Sequence, residues 1–308
     1  MNIIFMGTSD FAVQSGEALC GHEYNIVTVV TVPDKPQGRG LRMQPSPVKI
    51  WAQGRGLPLL QPENLRDAQF IEQIKSLSPD LIIVVAFRIL PKEVFTLPKL
   101  GAFNLHASIL PKYRGAAPIQ WALINGEKET GVTTFFLQEK VDTGSIVLQE
   151  ELSIGENETF GELHDRLARL GAEAVIRTVE MIGSGMAQPV KQNDMLATPA
   201  PKITKEICRI DWTKSADAIH NLVRALSPAP GAWTTLNGSV FKIFLAMPSG
   251  RKQKESKAGV CVIEKDKLFV QTGNGLLEIL EAQCEGRKRA TTSNLIQGRS
   301  VRDGDILI

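Results

Sequence analysis

The sequence predicts an α/β fold: a Rossmann-like, mostly parallel sheet followed by a small OB-like antiparallel β-barrel. Three observations carry this expectation. A strand-like run from Asn2 to Met6 passes through Gly7-Thr8-Ser9-Asp10 into a helix reaching about Cys20, the strand–turn–helix order of a parallel α/β unit. Leu81 to Ala86 is a continuous apolar run, as expected of a parallel strand covered on both faces. From Ala232 on, short alternating runs recur (Val240 to Leu245, Ala258 to Ile263, Leu268 to Thr272, Gly275 to Ala282), separated by Gly, Asn and charged residues. Period-two runs with that punctuation predict antiparallel strands that curl into a barrel.

The elements follow in order. Ser9 or Asp10 is placed to cap the first helix. Gly7 stands alone where a dinucleotide fingerprint needs three glycines, which excludes NAD binding, and no Gly-Lys-Ser/Thr loop is present for a nucleotide triphosphate. Asn25 to Val32 reads as a second strand. Pro33 to Pro47 is rich in Pro, Gly and charge, with Asp34, Lys35, Arg39 and Arg42, and is longer than the usual α/β connection of about 2–6 residues. Two readings stand for it, a phosphate-contacting loop or a solvated one. Helices are expected over Val48–Gly56, Asn64–Leu77, Pro118–Ile124, Thr159–Ile182 and Ser215–Leu226. Further strands are expected over Leu57–Leu60, Thr130–Leu137 and Ser145–Leu152. The Pro-, Gly- and Ala-rich stretch after Gly183 reads as an extended linker.

Composition sets limits. The chain has 308 residues, 43% hydrophobic, with a net charge of +2, enough for two soluble domains. From Glu206 to Ile308 there are 15 Lys and Arg against 11 Asp and Glu. That mild basic bias permits a nucleic-acid partner and fits a solvated surface equally well. Cys20, Cys208, Cys261 and Cys284 are too far apart for a zinc or redox motif, so reduced thiols in a cytoplasmic protein are expected and no metal. Met1 runs directly into an apolar strand with no basic segment before it, so no signal peptide is expected. No apolar run approaches the roughly 20 residues of a membrane span.

The chemistry centres on Phe103 to Gly115. Asn104 and His106 lie two apart on a strand and so share a face, just before Pro111 and Gly115 end the regular structure. The ends of strands are where α/β sheets place their sites. The Asn104 amide can donate to a developing oxyanion. The imidazole can do so when protonated, or can move a proton near neutral pH. Neither is a ready nucleophile, so direct attack by an incoming amine suits the pair better than a covalent enzyme intermediate. The alternative is a strand-end Asn and His that satisfy only each other and the backbone. Asp142, in Val141-Asp142-Thr143-Gly144, is by itself an ordinary turn residue.

The longer motif, Asn104-x-His106-x-Ser108-x-Leu110-Pro111 followed by Arg114-Gly115-Ala116-Ala117-Pro118-Ile119-Gln120, resembles the signature of folate-dependent formyltransferases. The extension is similar to the branch that acts on methionyl-tRNA. So are Lys202-Ile203-Thr204-Lys205-Glu206, and Arg224 through Trp233. The resemblance implies a formyltransferase-type sheet and transfer of the formyl group of 10-formyltetrahydrofolate to the α-amine of methionyl-initiator tRNA, for translation initiation. It implies Asn104, His106 and Asp142 as catalytic. It implies Ser108, Ile109, Leu110 and Pro111, with Phe87, Arg88 and Ile89, as the folate-binding residues. Phe87 to Pro91 is one residue shorter than the family pattern and lacks its glycine. Lys35, Arg39 and Arg42 fall in a segment resembling the family's tRNA-contacting insertion, and Arg287, Lys288 and Arg289 form a second basic cluster expected to meet tRNA. The run Arg251-Lys252-Gln253-Lys254 is a further candidate. The expected organisation is a catalytic domain over 1–183, a linker over 184–205 and an OB-like tRNA-binding domain over 206–308, in a monomer. Two other readings are a formyltransferase for a small amine or sugar nucleotide, and a non-catalytic RNA-binding relative.

Overall fold

The first strand shows why the N-terminal part folds as a parallel sheet. In a computed structural model, described over residues 1–37, 42–251 and 257–308, β1 (Asn2–Gly7) has Ile3, Ile4, Phe5 and Met6 wholly shielded from solvent. A strand apolar on both faces needs a helical layer on each. The chain continues through α1 (Asp10–Gly21), β2 (Asn25–Val30), β3 (Lys35–Gln37), β4 (Arg42–Gln44), α2 (Pro47–Gly54), β5 (Leu59–Leu60), α3 (Ala68–Ser76), β6 (Leu81–Val85) and α4 (Lys92–Phe95). It goes on through β7 (Ala102–His106), β8 (Arg114–Gly115), α5 (Pro118–Ile124), β9 (Glu129–Phe136), β10 (Ile146–Ser153), α6 (Phe160–Gly183) and β11 (Pro199–Ala200).

Two compact units result. The first holds residues 1–118, 129–153 and 164–200; the second holds 119–128, 154–163 and 201–308. In the first, the described strands run in the order β10-β9-β7-β6-β1-β2-β5. β5 to β7 through β1 are parallel, and β9 and β10 join antiparallel. The period of two sorts the core. Ile4, Met6, Ile82 and Val84 bury against Phe70 and Ile74 of α3. On α2, Trp51 meets Phe5 edge-on at 5.7 Å. That ring also sits so close to α1 that a Cβ on Gly16 would lie 2.4 Å from it.

Several sequence expectations shift. Ser46 caps α2, its hydroxyl accepting from the Lys49 amide at 3.0 Å, with Pro47 opening the helix. Ser9 occupies the cap position of α1 without a side-chain cap bond, and the Asp10 carboxylate accepts from the adjacent Phe11 amide, with His164 Nε2 3.6 Å away. The polar stretch expected as a loop contains a two-stranded ribbon, Lys35 opposite Gln44 and Pro36 opposite Met43. Residues 184–200, read as part of an extended linker, are bonded within the first unit. Val190 bridges Ile146, and β11 pairs with β8.

The second unit contains α7 (Ala216–Ala225), β12 (Ala232–Leu236), β13 (Ser239–Pro248), β14 (Cys261–Glu264), β15 (Lys267–Gln271), β16 (Leu276–Cys284), β17 (Ala290–Thr291) and α8 (Thr292–Gln297). Its described strands lie in the order β12-β13-β16-β15-β14, with β17 on β16. The two outer strands are joined by the C-terminal residues. Ile308 exchanges backbone hydrogen bonds with Thr235, while Leu307 donates to Gly259 and Asp305 accepts from Cys261. This strap closes the antiparallel sheet into a barrel and covers the edges that an open sheet would leave unpaired. The interior is filled by Phe241, Ile243, Leu268, Val270, Leu277 and Ile279, with Ile219 and Val223 of α7 against it. Inside, the Trp212 indole N–H donates to Thr234 at 3.0 Å, so its burial leaves no polar atom unpaired. The alternating runs had not marked β12 as a strand.

Candidate active site

β7 places the two motif residues at its C-terminal end. Phe103 and Leu105 turn into the core, while Asn104 is half-buried and His106 is 6% exposed. Among the described residues the Asn104 side-chain amide forms no hydrogen bond, which leaves its donors open to a substrate. His106 is bonded at one ring nitrogen and faces a carboxylate at the other. Its Nε2 is 2.8 Å from the Tyr113 carbonyl oxygen. A carbonyl only accepts, so Nε2 carries the proton. Tyr113 has φ +61°, and this left-handed turn aims its carbonyl back at the ring. Nδ1 lies 4.0 Å from Oδ2 of Asp142, too far for a hydrogen bond and close enough for an ion pair when the ring is charged.

Asp142 arrives from the turn between β9 and β10 with φ +53°. Its Oδ2 accepts from the Gly115 amide at 2.9 Å. Gly144 completes the turn; a Cβ there would lie 1.6 Å from the Phe136 carbonyl oxygen, so only glycine fits. The structure therefore brings Asn104, His106 and Asp142 to one strand end. The imidazolium expected as an oxyanion donor has its Nε2–H committed to Tyr113. The amide is the open donor, and the ring with its carboxylate is arranged to take up a proton.

The loop after β7 is tightly bonded. Ser108 is fully buried and its hydroxyl donates to the Lys112 carbonyl at 2.7 Å. The Thr133 hydroxyl donates to the Ser108 carbonyl and accepts from the Leu110 amide. Gln149 donates to the Leu110 carbonyl at 2.9 Å. Leu110 is buried, and Ile109 and Pro111 are half-buried. In the second loop, Phe87 packs against the core and Ile89 is 73% exposed. The Arg88 guanidinium donates to the carbonyls of Pro62 and Glu63 at 2.7 and 2.9 Å. Burial lowers the pKa of that guanidinium, opposed by the charge of Glu63. No backbone hydrogen bond among the described residues engages Phe87, Arg88 or Ile89, so their main-chain groups are open to a ligand.

Thr133, Gln149, Gln192 and Thr198 hold this site in place, and none of them stands out in the sequence. Thr198 accepts from the Tyr113 amide at 2.9 Å. Their only signal is polarity within otherwise apolar or linker-like runs.

Of the basic residues expected to meet RNA, Lys35 is exposed on β3. Arg39 and the side chain of Arg42 lie outside the described residues, as do Lys252, Gln253 and Lys254. Lys288 is exposed, and Arg287 donates to Ser300. Arg289 is engaged within the barrel: its guanidinium stacks 3.6 Å from the Phe244 ring centre and donates to the Pro228 carbonyl. Beside Trp233, whose ring has the cations of Lys205 and Arg209 over it at 5.6 and 5.7 Å, is an apolar cleft of about 350 Å³. Among the described residues no group of three or more His, Cys, Asp or Glu could hold a metal ion. None of the described helices is long and apolar enough to cross a membrane.

Comparison with known proteins gives this geometry a family. Residues 1–179 match the family described as Formyl transferase, and residues 202–300 match Formyl transferase, C-terminal domain. The methionyl-tRNA formyltransferase of Porphyromonas gingivalis is 45% identical over 97% of this chain and 95% of its own. That of Clostridioides difficile is 44% identical over 100% of both chains. Among solved structures, an N-formyltransferase from Helicobacter canadensis in complex with folinic acid and dTDP-3-aminofucose is similar with a TM-score of 0.67. It has 21% identity, over 92% of this chain and 98% of that one, a likeness of fold. The chain belongs to the formyl transferase family, among the methionyl-tRNA formyltransferases.

Proposed function

We propose that the protein transfers the formyl group of 10-formyltetrahydrofolate to the α-amine of methionyl-initiator tRNA, with Asn104, His106 and Asp142 as the catalytic residues. The observation that carries this reading is the open Asn104 amide beside a His106–Asp142 pair, 4.0 Å apart, in a chain 45% identical over nearly its whole length to a methionyl-tRNA formyltransferase.

The amine attacks the formyl carbon and a new C–N bond forms. Negative charge collects on the formyl oxygen, where the Asn104 amide donates. The attacking nitrogen becomes an ammonium and sheds a proton. Nδ1 of His106 is the base for that proton, and the carboxylate of Asp142 then faces an imidazolium. The bond to the folate nitrogen breaks, and that nitrogen leaves with the proton returned from the His106 imidazolium, which restores the neutral ring. One preorganised oxyanion donor contributes about 10²–10³ in rate, roughly 3–4 kcal/mol.

The folate co-substrate is assigned to the main chain of Phe87, Arg88 and Ile89 and to the segment Ser108, Ile109, Leu110 and Pro111. The first unit, through residue 200, is assigned as catalytic domain and 206–308 as tRNA-binding domain, with Lys35, Arg39, Arg42, Arg287, Lys288 and Arg289 as tRNA contacts. Of these, Lys35, Arg287, Lys288 and Arg289 are exposed, and Arg289 is in addition engaged with Phe244 and the Pro228 carbonyl. The protein is proposed to act as a cytoplasmic monomer.

The acceptor is tested by supplying 10-formyltetrahydrofolate with methionyl-tRNA, deacylated tRNA or small amino sugars and locating the formyl group. Formyl-methionyl-tRNA alone is expected. Formylation of an amino sugar in preference to methionyl-tRNA would overturn the assignment.

A further inference from the structure

Gln192 lies in the stretch that reads as linker, yet it is 6% exposed and uses both ends of its amide. Its Oε1 accepts from Nε and Nη2 of Arg114 at 3.1 and 2.7 Å. Its Nε2 donates to the carbonyl oxygens of Asp142 and Gly144 at 3.0 and 2.9 Å. The orientation of the amide is fixed by its partners, since guanidinium only donates and carbonyls only accept. Arg114 is further anchored by Asp194, 2.7 Å from Nη2. The residue after Arg114, Gly115, donates to the carboxylate of Asp142 at 2.9 Å.

These bonds form a closed circuit: Arg114 to Gln192, Gln192 to the main chain of Asp142, the carboxylate of Asp142 to Gly115, and back along the chain to Arg114. Asp142 is gripped at its carbonyl by one side of the circuit and at its carboxylate by the other. Its φ of +53° lies in the left-handed region, uncommon for non-glycine residues, which Asp enters more readily than most. The same stretch fixes the other face of His106, because Thr198 accepts from the Tyr113 amide and the Tyr113 carbonyl accepts a hydrogen bond from Nε2–H.

We propose that Gln192 is a positioning residue for formyl transfer, acting through Asp142: its amide sets where the carboxylate stands relative to Nδ1 of His106. This deepens the functional reading above and rests on it. The amide NH2 is the working part. A carboxylate at position 192 would still pair with Arg114 but would repel the two carbonyls. An alanine would leave them unbonded.

The test is a kinetic cycle on the full chain with methionyl-tRNA and 10-formyltetrahydrofolate, using Gln192→Ala, Gln192→Glu, Asp142→Asn and the double variant Gln192→Ala/Asp142→Asn. Loss of a positioning contact is expected to lower kcat about 10- to 100-fold, with KM for both substrates within about twofold. Gln192→Glu is expected to lose as much as Gln192→Ala, which keeps the inference testable if the alanine variant folds poorly. The double variant is expected to be no slower than Asp142→Asn alone, the signature of two residues acting as a unit. Parent-like kcat in either single Gln192 variant, or losses that multiply in the double variant, would overturn the inference. A parent protein unable to formylate methionyl-tRNA would overturn the functional reading beneath it.

Discussion

His106 and Asp142 face each other across 4.0 Å between Nδ1 and Oδ2, while the opposite ring nitrogen donates to the Tyr113 carbonyl. In that tautomer Nδ1 presents a lone pair towards a carboxylate, and nothing bonds the two until a proton arrives. In the proposed mechanism, the proton released by an attacking amine converts the gap into an ion pair. Asp142→Asn removes the charge but keeps the shape. It is expected to lower kcat by about 10²-fold, within the range of general acid–base catalysis, with little change in KM. Steady-state kinetics with methionyl-tRNA checks this; a change confined to KM would assign Asp142 to binding instead.

Gly144 makes a separate structural prediction. A Cβ at this position would meet the Phe136 carbonyl oxygen at 1.6 Å, so the Asp142 turn must move. Gly144→Ala is expected to destabilise the protein by about 2 kcal/mol or more and to lose activity with it. Denaturant unfolding of the parent and variant measures the first, and a matching midpoint would contradict it.

Arg88 holds the loop from Phe87 to Ile89 to the carbonyls of Pro62 and Glu63. Arg88→Ala frees the loop whose main chain is assigned to the folate. KM for 10-formyltetrahydrofolate is expected to rise about tenfold, with kcat within about twofold, the pattern of lost uniform binding. An unchanged KM would move the folate away from this loop.

Cys261 carries the pH prediction. Burial raises its thiol from 9.0 to about 12, with Asp305 and Asp303 adding to the shift. A folded pKa above the unfolded one means the contribution is full below pH 9 and is lost as pH rises towards 12. Stability should therefore fall across that window, and Cys261→Ala should flatten the fall. Unfolding curves at several alkaline pH values test the slope. Below pH 9, thiol reagents should label half-buried Cys20 and Cys284 before Cys261.

The strands of the sheet were legible because burial on both faces leaves continuous apolar runs, as in Ile3–Met6 and Leu81–Val85. Asn104 and His106 were legible because a strand's period of two puts them on one face. Asp142 was legible only through the motif, since an Asp beside a Gly is commonly a turn. Gln192 and Thr198 were hidden for a physical reason: their partners are 78 and 85 residues away along the chain. Nothing local separates a linker polar residue from one that clasps a site. The barrel's alternation showed its strands from Val240 on. Its closure by Asp305 to Ile308 was not readable, because the strap is too short to carry a period.

The proposed mechanism turns on the open Asn104 amide at the end of β7 stabilising the oxyanion of formyl transfer. The most direct measurement is the single-turnover rate of formyl-methionyl-tRNA formation by Asn104→Ala beside the parent, with thermal unfolding of both. A rate lower by about 10²–10³ at an unchanged unfolding midpoint is expected. A near-parent rate in the folded variant would contradict it.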